Sequence, residues 1–369
     1  MGAGHDAVAD ELADRLRARG HSVLIKDVLA LLPSGVGTAL RTVYRGTVRH
    51  APQLYAAVYG AFLATGPERA QGAATVPRPG SAPLAALAEG PFMKVVDNWQ
   101  PDAVISTFHL SAQVTGRLRA RGGLRVPSVV AVIDFAVHRG WLHPGNDAHL
   151  CITEAGARTV RAVTGRAAEA TGPVVPRRFS EERAGEVRES GRDWGKEFEL
   201  LAPGRPAVLL SAGAWGVGSE LPDTARQLAV HGVFPVLMCG NDERLRRRAA
   251  SLPGTLALGW VTDVAGLMSA AHALIDNAAG QTAAQALAAR LPVIGYRPLP
   301  GHGAEGIRAM AEAGVSELAC DQQELVDVLD SLLRPGPLRE KRLANGRALF
   351  RVDAAQRISE IAQAGVRAA

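Results

Sequence analysis

The sequence predicts an α/β protein built from two Rossmann-like, doubly wound domains. Three observations carry this expectation. Short apolar runs of the kind that form buried parallel strands alternate with helical periodicity along almost the whole chain. The alternation is interrupted at residues 172–176 (Gly-Pro-Val-Val-Pro) and then resumes, which marks a hinge. The chain has 369 residues, and domains run to roughly 100–200 residues each, so two fit. A composition of 47% hydrophobic and 21% charged residues belongs to a globular chain, not a disordered or fibrous one. No apolar run approaches the ~18–20 residues of a membrane helix.

In the first half, residues 7–19 have helical apolar spacing with acids early and arginines late, as the helix dipole prefers, and Gly20 ends that helix. Residues 21–28 read as a strand that ends near Asp27. Across residues 31–63, Arg41, Arg45 and Arg49 recur every fourth position on one helical face, with Tyr44, Tyr55, Tyr59 and Phe62 nearby. Cations with amphipathic rings suit an interfacial helix, and equally a core helix with a solvated arginine face. Residues 64–90, rich in Ala, Gly and Pro, read as a mobile loop. Residues 102–107, 128–134 and 150–153 read as parallel strands.

Residues 180–200 read as a charged helix. The second half then repeats the pattern, with strands at 207–210, 235–239, 256–258, 273–275 and 292–296. Charge divides unevenly between the halves. Residues 1–180 hold 20 Lys+Arg against 13 Asp+Glu, net +7, and residues 181–369 hold 21 against 23, net −2. That asymmetry points to an anionic partner for the first half, or to an arginine-rich codon bias. Cys151, Cys239 and Cys320 are odd in number and far apart. No disulfide framework or thiolate zinc site is expected, and a reducing cytoplasm fits. Residues 1–12 carry acids and no hydrophobic core, unlike a secretory signal.

Three loops carry the candidate chemistry. The first, Gly2-Ala3-Gly4-His5-Asp6-Ala7, matches G-x-G-x-x-A, with Asp27 about twenty residues on, as in a dinucleotide fingerprint. That fingerprint needs a strand before the loop, and only Met1 stands there. The expectation is therefore a first domain with its first strand missing, about 6–10 residues belonging upstream of Met1. His5 sits at the mouth of a helix N-terminus, placed to take a proton from an incoming hydroxyl. The second loop spans residues 211–219, with Gly213, Gly216 and Gly218 letting backbone amides approach a phosphate. The third spans residues 277–286, where Gly280, Gln281 and Thr282 would meet a diphosphate and Gln285 a ribose. D-x-D, C-x-x-C, H-E-x-x-H and G-x-S-x-G are all absent from the sequence. A metal-free enzyme would offset diphosphate charge with helix dipoles, amides and arginines.

Taken in order, these pieces resemble the monogalactosyldiacylglycerol synthase family of GT-B glycosyltransferases, relatives of the transferase that adds N-acetylglucosamine to the peptidoglycan lipid precursor. The residues that carry the resemblance are Gly2-Ala3-Gly4-His5, residues 101–105, and Ile133-Asp134 with His138 and Trp141. To these are added Gly172-Pro173-Val174 with Phe179, Cys239-Gly240-Asn241, and Gly259-Trp260-Val261 with Asp263 and Met268. Gly280-Gln281-Thr282, residues 291–294 and Pro300-Gly301-His302 complete the set.

The resemblance implies an inverting, metal-independent transfer of a hexosyl group from a UDP-sugar to a diacylglycerol-like hydroxyl. Residues 1–175 would bind acceptor and membrane, and residues 176–345 the UDP-sugar, with the two domains facing a cleft. Residues 346–369 would form a helix packing back toward the first domain. His5 would be the base, and Gly4, Asp134, His138 and Trp141 would line the acceptor side. Gly213, Gly216, Gly218, Asn241, Trp260, Val261, Gly280, Gln281, Thr282 and Gln285 would hold the nucleotide, and Gly301, His302 and Glu305 the sugar. Arg41, Tyr44, Arg45, Arg49, Tyr55 and Tyr59 would meet an anionic membrane at the inner face of the plasma membrane. No metal, cofactor or nucleic acid is implied. Two positions depart from the family pattern: Gln285 stands where the family has Glu, and Gly301-His302-Gly303 replaces Gly-Gln-Glu. A transferase for a soluble natural product, a nicotinamide-dependent oxidoreductase and a non-catalytic nucleotide- or lipid-binding protein remain open alternatives.

Overall fold

The computed structural model describes residues 3–64, 82–180, 192–211, 213 and 220–368. The chain divides into two compact units, one of Met1–Val174 with Arg351–Ala369 and one of Val175–Phe350. The boundary falls inside the Gly-Pro-Val-Val-Pro stretch.

The first unit opens with helix α1 (Ala3–Arg17), carrying Asp6 in its first turn and Arg15 and Arg17 in its last. Val8, Leu12 and Leu16 recur at helical spacing and are buried, and Gly20 lets the chain turn away at φ +86. Helices α2 (Val36–His50), α3 (Pro52–Phe62) and α4 (Ala82–Trp99) follow. Strand β1 (Val104–Ser106), helix α5 (His109–Ala120), strands β2 (Ser128–Ala131) and β3 (Ala148–Cys151), helix α6 (Glu154–Thr164) and strand β4 (Ala167–Ala170) complete the sheet region. The four strands lie in the order β1-β2-β3-β4, all parallel.

Two expectations need correction here. Residues 21–27 are extended but belong to no sheet. Among the described residues no strand lies beside them, so they have no ladder to join. His21 N–H instead bonds the Leu16 carbonyl, Arg17 reaches the Val23 carbonyl, and Leu24 and Ile25 remain exposed. The supposed loop at residues 64–90 is also only partly a loop. From Ala82 the chain is helical, burying Ala85 and Ala88 against Val28, Leu29 and Val114, while residues 65–81 lie outside the described set. The charged helix expected at residues 180–200 is described only from its last third, because residues 181–191 also lie outside that set.

The second unit contains helix α7 (Trp194–Leu201) and strand β5 (Ala207–Ser211), then helix α8 (Leu221–Val230) and strand β6 (Phe234–Met238). Helix α9 (Glu243–Ala250), strand β7 (Leu256–Leu258), helix α10 (Val264–Ala270) and strand β8 (Ala273–Asp276) come next. Helix α11 (Gln281–Ala288), strand β9 (Val293–Tyr296), helix α12 (His302–Glu312) and strand β10 (Glu317–Ala319) lead to helices α13 (Gln322–Leu333) and α14 (Pro337–Ala348). The parallel sheet has the order β10-β9-β8-β5-β6-β7. Strand order therefore reverses between β5 and β8, the doubly wound pattern. Val208, Leu210, Leu237, Ile275 and Ile294 fill the core on one side of it.

Helix α15 (Ala354–Ala368) returns to the first unit, where Ala354, Ala355 and Ile358 pack against Val8, Leu12 and Leu16. Asp353 fastens its start. One oxygen accepts the Ala355 N–H at 2.9 Å, and the carboxylate pairs with Arg19 at 2.5 Å and Arg15 at 3.5 Å. Among the described residues no helix is long and apolar enough to cross a membrane.

Burial raises the Asp353 carboxyl, but the Ala355 N–H and the two arginines outweigh it and the net value falls below the ordinary one. A carboxyl depressed in the native state stabilises at pH values above its unfolded value and loses that contribution as pH falls through the native one. Asp353→Ala should cost about 1–2 kcal/mol at pH 7 and progressively less below about pH 4. Urea unfolding at both pH values reads this, and equal stability of the two proteins at pH 7 would remove the capping role.

Candidate functional site

Two groups of predicted residues assemble, one in each unit. In the first unit His5 stands in the opening turn of α1 and not in a glycine loop, since the helix already runs from Ala3. Its Nδ1 lies 2.9 Å from the Thr107 carbonyl, just past the C-terminal end of β1. A carbonyl oxygen only accepts, so Nδ1 carries the hydrogen and the lone pair is on Nε2. Gly4 precedes it in the same turn.

The His5 ring meets Phe108 edge-on at 4.9 Å and Trp141 at 6.2 Å. Trp141 is fully buried and donates its indole N–H to Asp134 Oδ2 at 2.7 Å. His138 Nδ1 accepts the Gly140 N–H at 3.1 Å, which places the hydrogen on Nε2, 3.3 Å from the same Asp134 oxygen. Asp134 is thus a buried carboxyl that accepts the Trp141 indole N–H and has the His138 ring nitrogen close by, and the Asp-x-x-x-His-x-x-Trp spacing wraps one short loop around it. Behind it His149 donates to the Trp141 carbonyl at 3.2 Å, and burial pushes its pKa down to about 4.

Two contributors have no counterpart among the residues singled out from the sequence. His109, at the start of α5, packs on His138 at 5.2 Å and on Phe108 at 4.3 Å. The signal was present: Thr107-Phe108-His109 sits where an expected strand gives way to a helix. The other contributor is the direction in which the tyrosines of α2 and α3 point. Tyr44, Tyr55 and Tyr59 form a chain of ring contacts at 5.8 and 6.3 Å that continues to His138 at 6.0 Å, and Tyr59 is buried. Burial, then the Asp134 charge, raises the Tyr44 phenol, which stays a neutral donor. The exposed apolar side chains of this hairpin are Val43, Leu54, Val58 and Phe62, with Arg45 and Arg49 exposed beside them. Arg41 is tied to Asp27, whose other oxygen caps Leu29 at 2.9 Å. Those two bonds give Asp27 a structural post and count against the ribose role of the nicotinamide alternative.

In the second unit every described donor candidate lies beyond the C-terminal end of a strand. Gly213 follows β5, Asn241 follows β6, and Trp260 and Val261 follow β7. Gly280, Gln281, Thr282 and Gln285 follow β8, and Gly301, His302 and Glu305 follow β9. Gly216 and Gly218 lie outside the described residues. The β5 and β8 ends flank the reversal of strand order, which is where open α/β sheets bind ligands.

Around β8 the geometry is specific. Asp276 is buried, and its carboxylate accepts the Ala278 and Ala279 N–H groups at 3.0 and 2.6 Å, holding Ala279 at φ +52. Burial still raises its carboxyl above the usual range. Among the described residues no side chain caps α11, and none lies within 4 Å of where a Gly280 Cβ would sit. Its first-turn amides and dipole therefore face a place where an anion fits. The altered sugar motif has a steric reason. A Cβ at Gly303 would come within 2.9 Å of Leu299 Cβ and 3.0 Å of the Asn277 carbonyl. The Glu of the family pattern has no room there in this chain.

The Cys151 and Cys239 thiols are pushed up to about 12 by burial, so neither is a nucleophile. Among the described residues no group of three or more His, Cys, Asp or Glu side chains converges to hold a metal ion.

Residues 5–175 match the model of the monogalactosyldiacylglycerol (MGDG) synthase family. Over that stretch, just under half of its length, the chain is similar to the MGDG synthases, and its two parallel-sheet units are consistent with the GT-B fold. The processive diacylglycerol beta-glucosyltransferase of Bacillus licheniformis is 26% identical over 248 residues, covering 65% of this chain and 62% of that protein. The Bacillus subtilis protein of the same name is 25% identical over 246 residues, covering 65% and 63%. The chain thus spans about three fifths of the length of these curated relatives. Acinetobacter baumannii MurG shares the fold with a TM-score of 0.57 at 14% identity, over 98% of this chain and 96% of that one. The glycosyltransferase SnogD from Streptomyces nogalater also scores 0.57, at 17% identity, over 96% and 95%.

His149 gives this site a pH signature. Its native pKa of about 4 lies below the ordinary 6.5, so the unfolded chain binds an extra proton between those values and stability falls as pH drops through that window. The loss is on the order of 3 kcal/mol. His149→Gln should flatten that part of the stability–pH curve by one proton, read from denaturant midpoints between pH 7 and 4. An unchanged slope would place the titration elsewhere.

Proposed function

We propose that the chain is an inverting, metal-independent glycosyltransferase that moves a hexosyl group from a UDP-sugar to the hydroxyl of a diacylglycerol-like lipid. The observation that carries this reading is the His5 tautomer. The Thr107 carbonyl holds the hydrogen on Nδ1, which leaves the basic lone pair on Nε2, and the His5 ring lies 6.2 Å from Trp141, whose indole donates to Asp134. In this reading Nε2 takes the proton of the acceptor hydroxyl. The oxygen attacks the anomeric carbon from the face opposite UDP, the bond to the β-phosphate oxygen breaks, and UDP leaves as the anion. The His5 proton then passes to solvent. Asp134 and His138 line the acceptor subsite, and buried Asp134 offsets the imidazolium that forms. The α11 N-terminus at Gly280, Gln281 and Thr282 stabilises the diphosphate. Gln285 offers the ribose an amide where a carboxylate would give a charge-assisted bond.

The names of the Bacillus relatives support a diacylglycerol acceptor, and the α2–α3 hairpin supports a membrane-surface location. Leu54, Val58 and Phe62 recur every fourth residue on α3 and are exposed, with Arg45 and Arg49 on the adjoining helix. An apolar stripe bordered by cations seats at the headgroup boundary of an anionic bilayer. Tyr44, Tyr55 and Tyr59 link that surface through their ring contacts to His138 of the proposed acceptor cluster. A cytoplasmic protein bound peripherally to the inner face of the plasma membrane follows from this reading.

His5→Ala should lower turnover about 10²–10⁴-fold, measured by mass spectrometry of glycolipid formed from UDP-sugars and membrane lipid. Near-normal turnover would refute the base. Replacing Leu54, Val58 and Phe62 together with Ser should cut co-sedimentation with phosphatidylglycerol vesicles by about tenfold or more. Unchanged co-sedimentation would move the membrane contact off this hairpin.

A further inference from the structure

Arg297, the residue directly after β9, adopts a conformation that few arginines take. Its φ is +46, in the left-handed region, and Pro298 follows it. Residues before proline are steered toward extended backbone, so a left-handed arginine there is doubly disfavoured. Such conformations persist where the surroundings impose them and cluster at ligand sites. The side chain does not account for the cost through stability. Its guanidinium packs over Tyr296 at 5.1 Å and pairs with Glu220 at 3.1 Å, near Thr224 Oγ1 at 3.4 Å. The Arg297 and Glu220 side chains are 35% and 62% exposed, and an ion pair that wet contributes little.

Its location gives the arginine a different meaning. Glu220 immediately precedes α8, the helix that follows β5 in the chain. In the sheet β8 lies between β9 and β5. An arginine anchored at the end of β9 and paired at the start of α8 therefore reaches over the end of β8, beside the reversal of strand order. None of the donor residues named from the sequence at this edge carries a permanent positive charge. Gly213, Asn241, Trp260, Gly280, Gln281 and Thr282 are all uncharged. Arg297 supplies what that set lacks.

We infer that Arg297 is the anion-binding cation of the donor site, parked on Glu220 until an anionic group of the donor replaces that carboxylate. The inference rests on the donor reading above and names the residue that would balance the donor's charge. The anion is either the diphosphate common to all UDP-sugars or a carboxylate on the sugar. Arginine suits both, because its planar fork pairs two oxygens at once.

Calorimetric titration of the full chain with UDP, UDP-glucose and UDP-glucuronate tests this. Arg297→Met should weaken binding by about tenfold or more. Equal weakening for all three ligands assigns the diphosphate, and weakening confined to UDP-glucuronate assigns the carboxylate. Arg297→Gly should weaken binding equally while raising Tm, because glycine adopts positive φ without strain. Glu220→Gln should tighten binding by a few-fold, since a competitor for the guanidinium is gone. A purely structural brace would not tighten it, and weakened binding by Glu220→Gln would overturn the parked arrangement. Wild-type affinity in both Arg297 variants would overturn the inference and leave the donor reading standing. Failure of the wild-type chain to bind any of the three would overturn both.

Discussion

Parallel strand pairing is the constraint on which the rest of the structure depends. A parallel neighbour can be reached only by a crossover, and the crossovers here are mostly helices, so every strand ends on the same edge of its sheet. Loops then collect along that edge, and helix N-termini turn their amides toward whatever binds there. The second unit places its described donor candidates in this way although they are scattered from Gly213 to Glu305 in sequence. The strand reversal between β5 and β8 opens the crevice, and Asp276 shapes the turn leading from it into α11.

The first unit follows the same rule with different chemistry at the edge. His5, Thr107, Phe108 and His109 gather past the end of β1, and the Asp134–His138–Trp141 loop follows β2. What converts proximity into function there is the fixing of hydrogens. A backbone carbonyl sets the His5 tautomer, a backbone N–H sets that of His138, and the Asp134 oxygen that takes the indole donor also lies 3.3 Å from His138 Nε2. Each bond removes a protonation alternative. The cluster therefore holds one arrangement of donors and acceptors, as a preorganised site requires.

Legibility in the sequence followed physical locality. Strands such as residues 207–210 and 273–275 stood out because a strand buried on both faces must be apolar throughout. β4, reading Ala-Ala-Glu-Ala, and β10, Glu-Leu-Ala, escaped because edge strands carry no such requirement. Residues 21–27 erred in the opposite direction: their pattern is that of a strand, but pattern cannot supply a hydrogen-bonding neighbour. The tyrosines of α2 and α3 were recognised as a group, yet residue type does not say which way a ring points. Tyr59 faces His138, and the exposed apolar side chains of α3 are Leu54, Val58 and Phe62. His109 was overlooked because a lone histidine has no motif; only contact with His138 and Phe108 gives it a role.

The replaced sugar motif shows how sterics and chemistry trade within one loop. Close approach of α12 to the turn after β8 needs glycine at 303, where any Cβ would crowd the Asn277 carbonyl and Leu299. That packing is incompatible with a carboxylate at the same position. Six residues earlier the same β9–α12 connection presents Arg297, held in an unfavourable backbone conformation and paired with a residue across the sheet edge. The loop thus gives up an acid at its helical end and carries a cation at its strand end. The fold beneath tolerates both changes, because the strands and the Asp276 turn do not depend on either side chain.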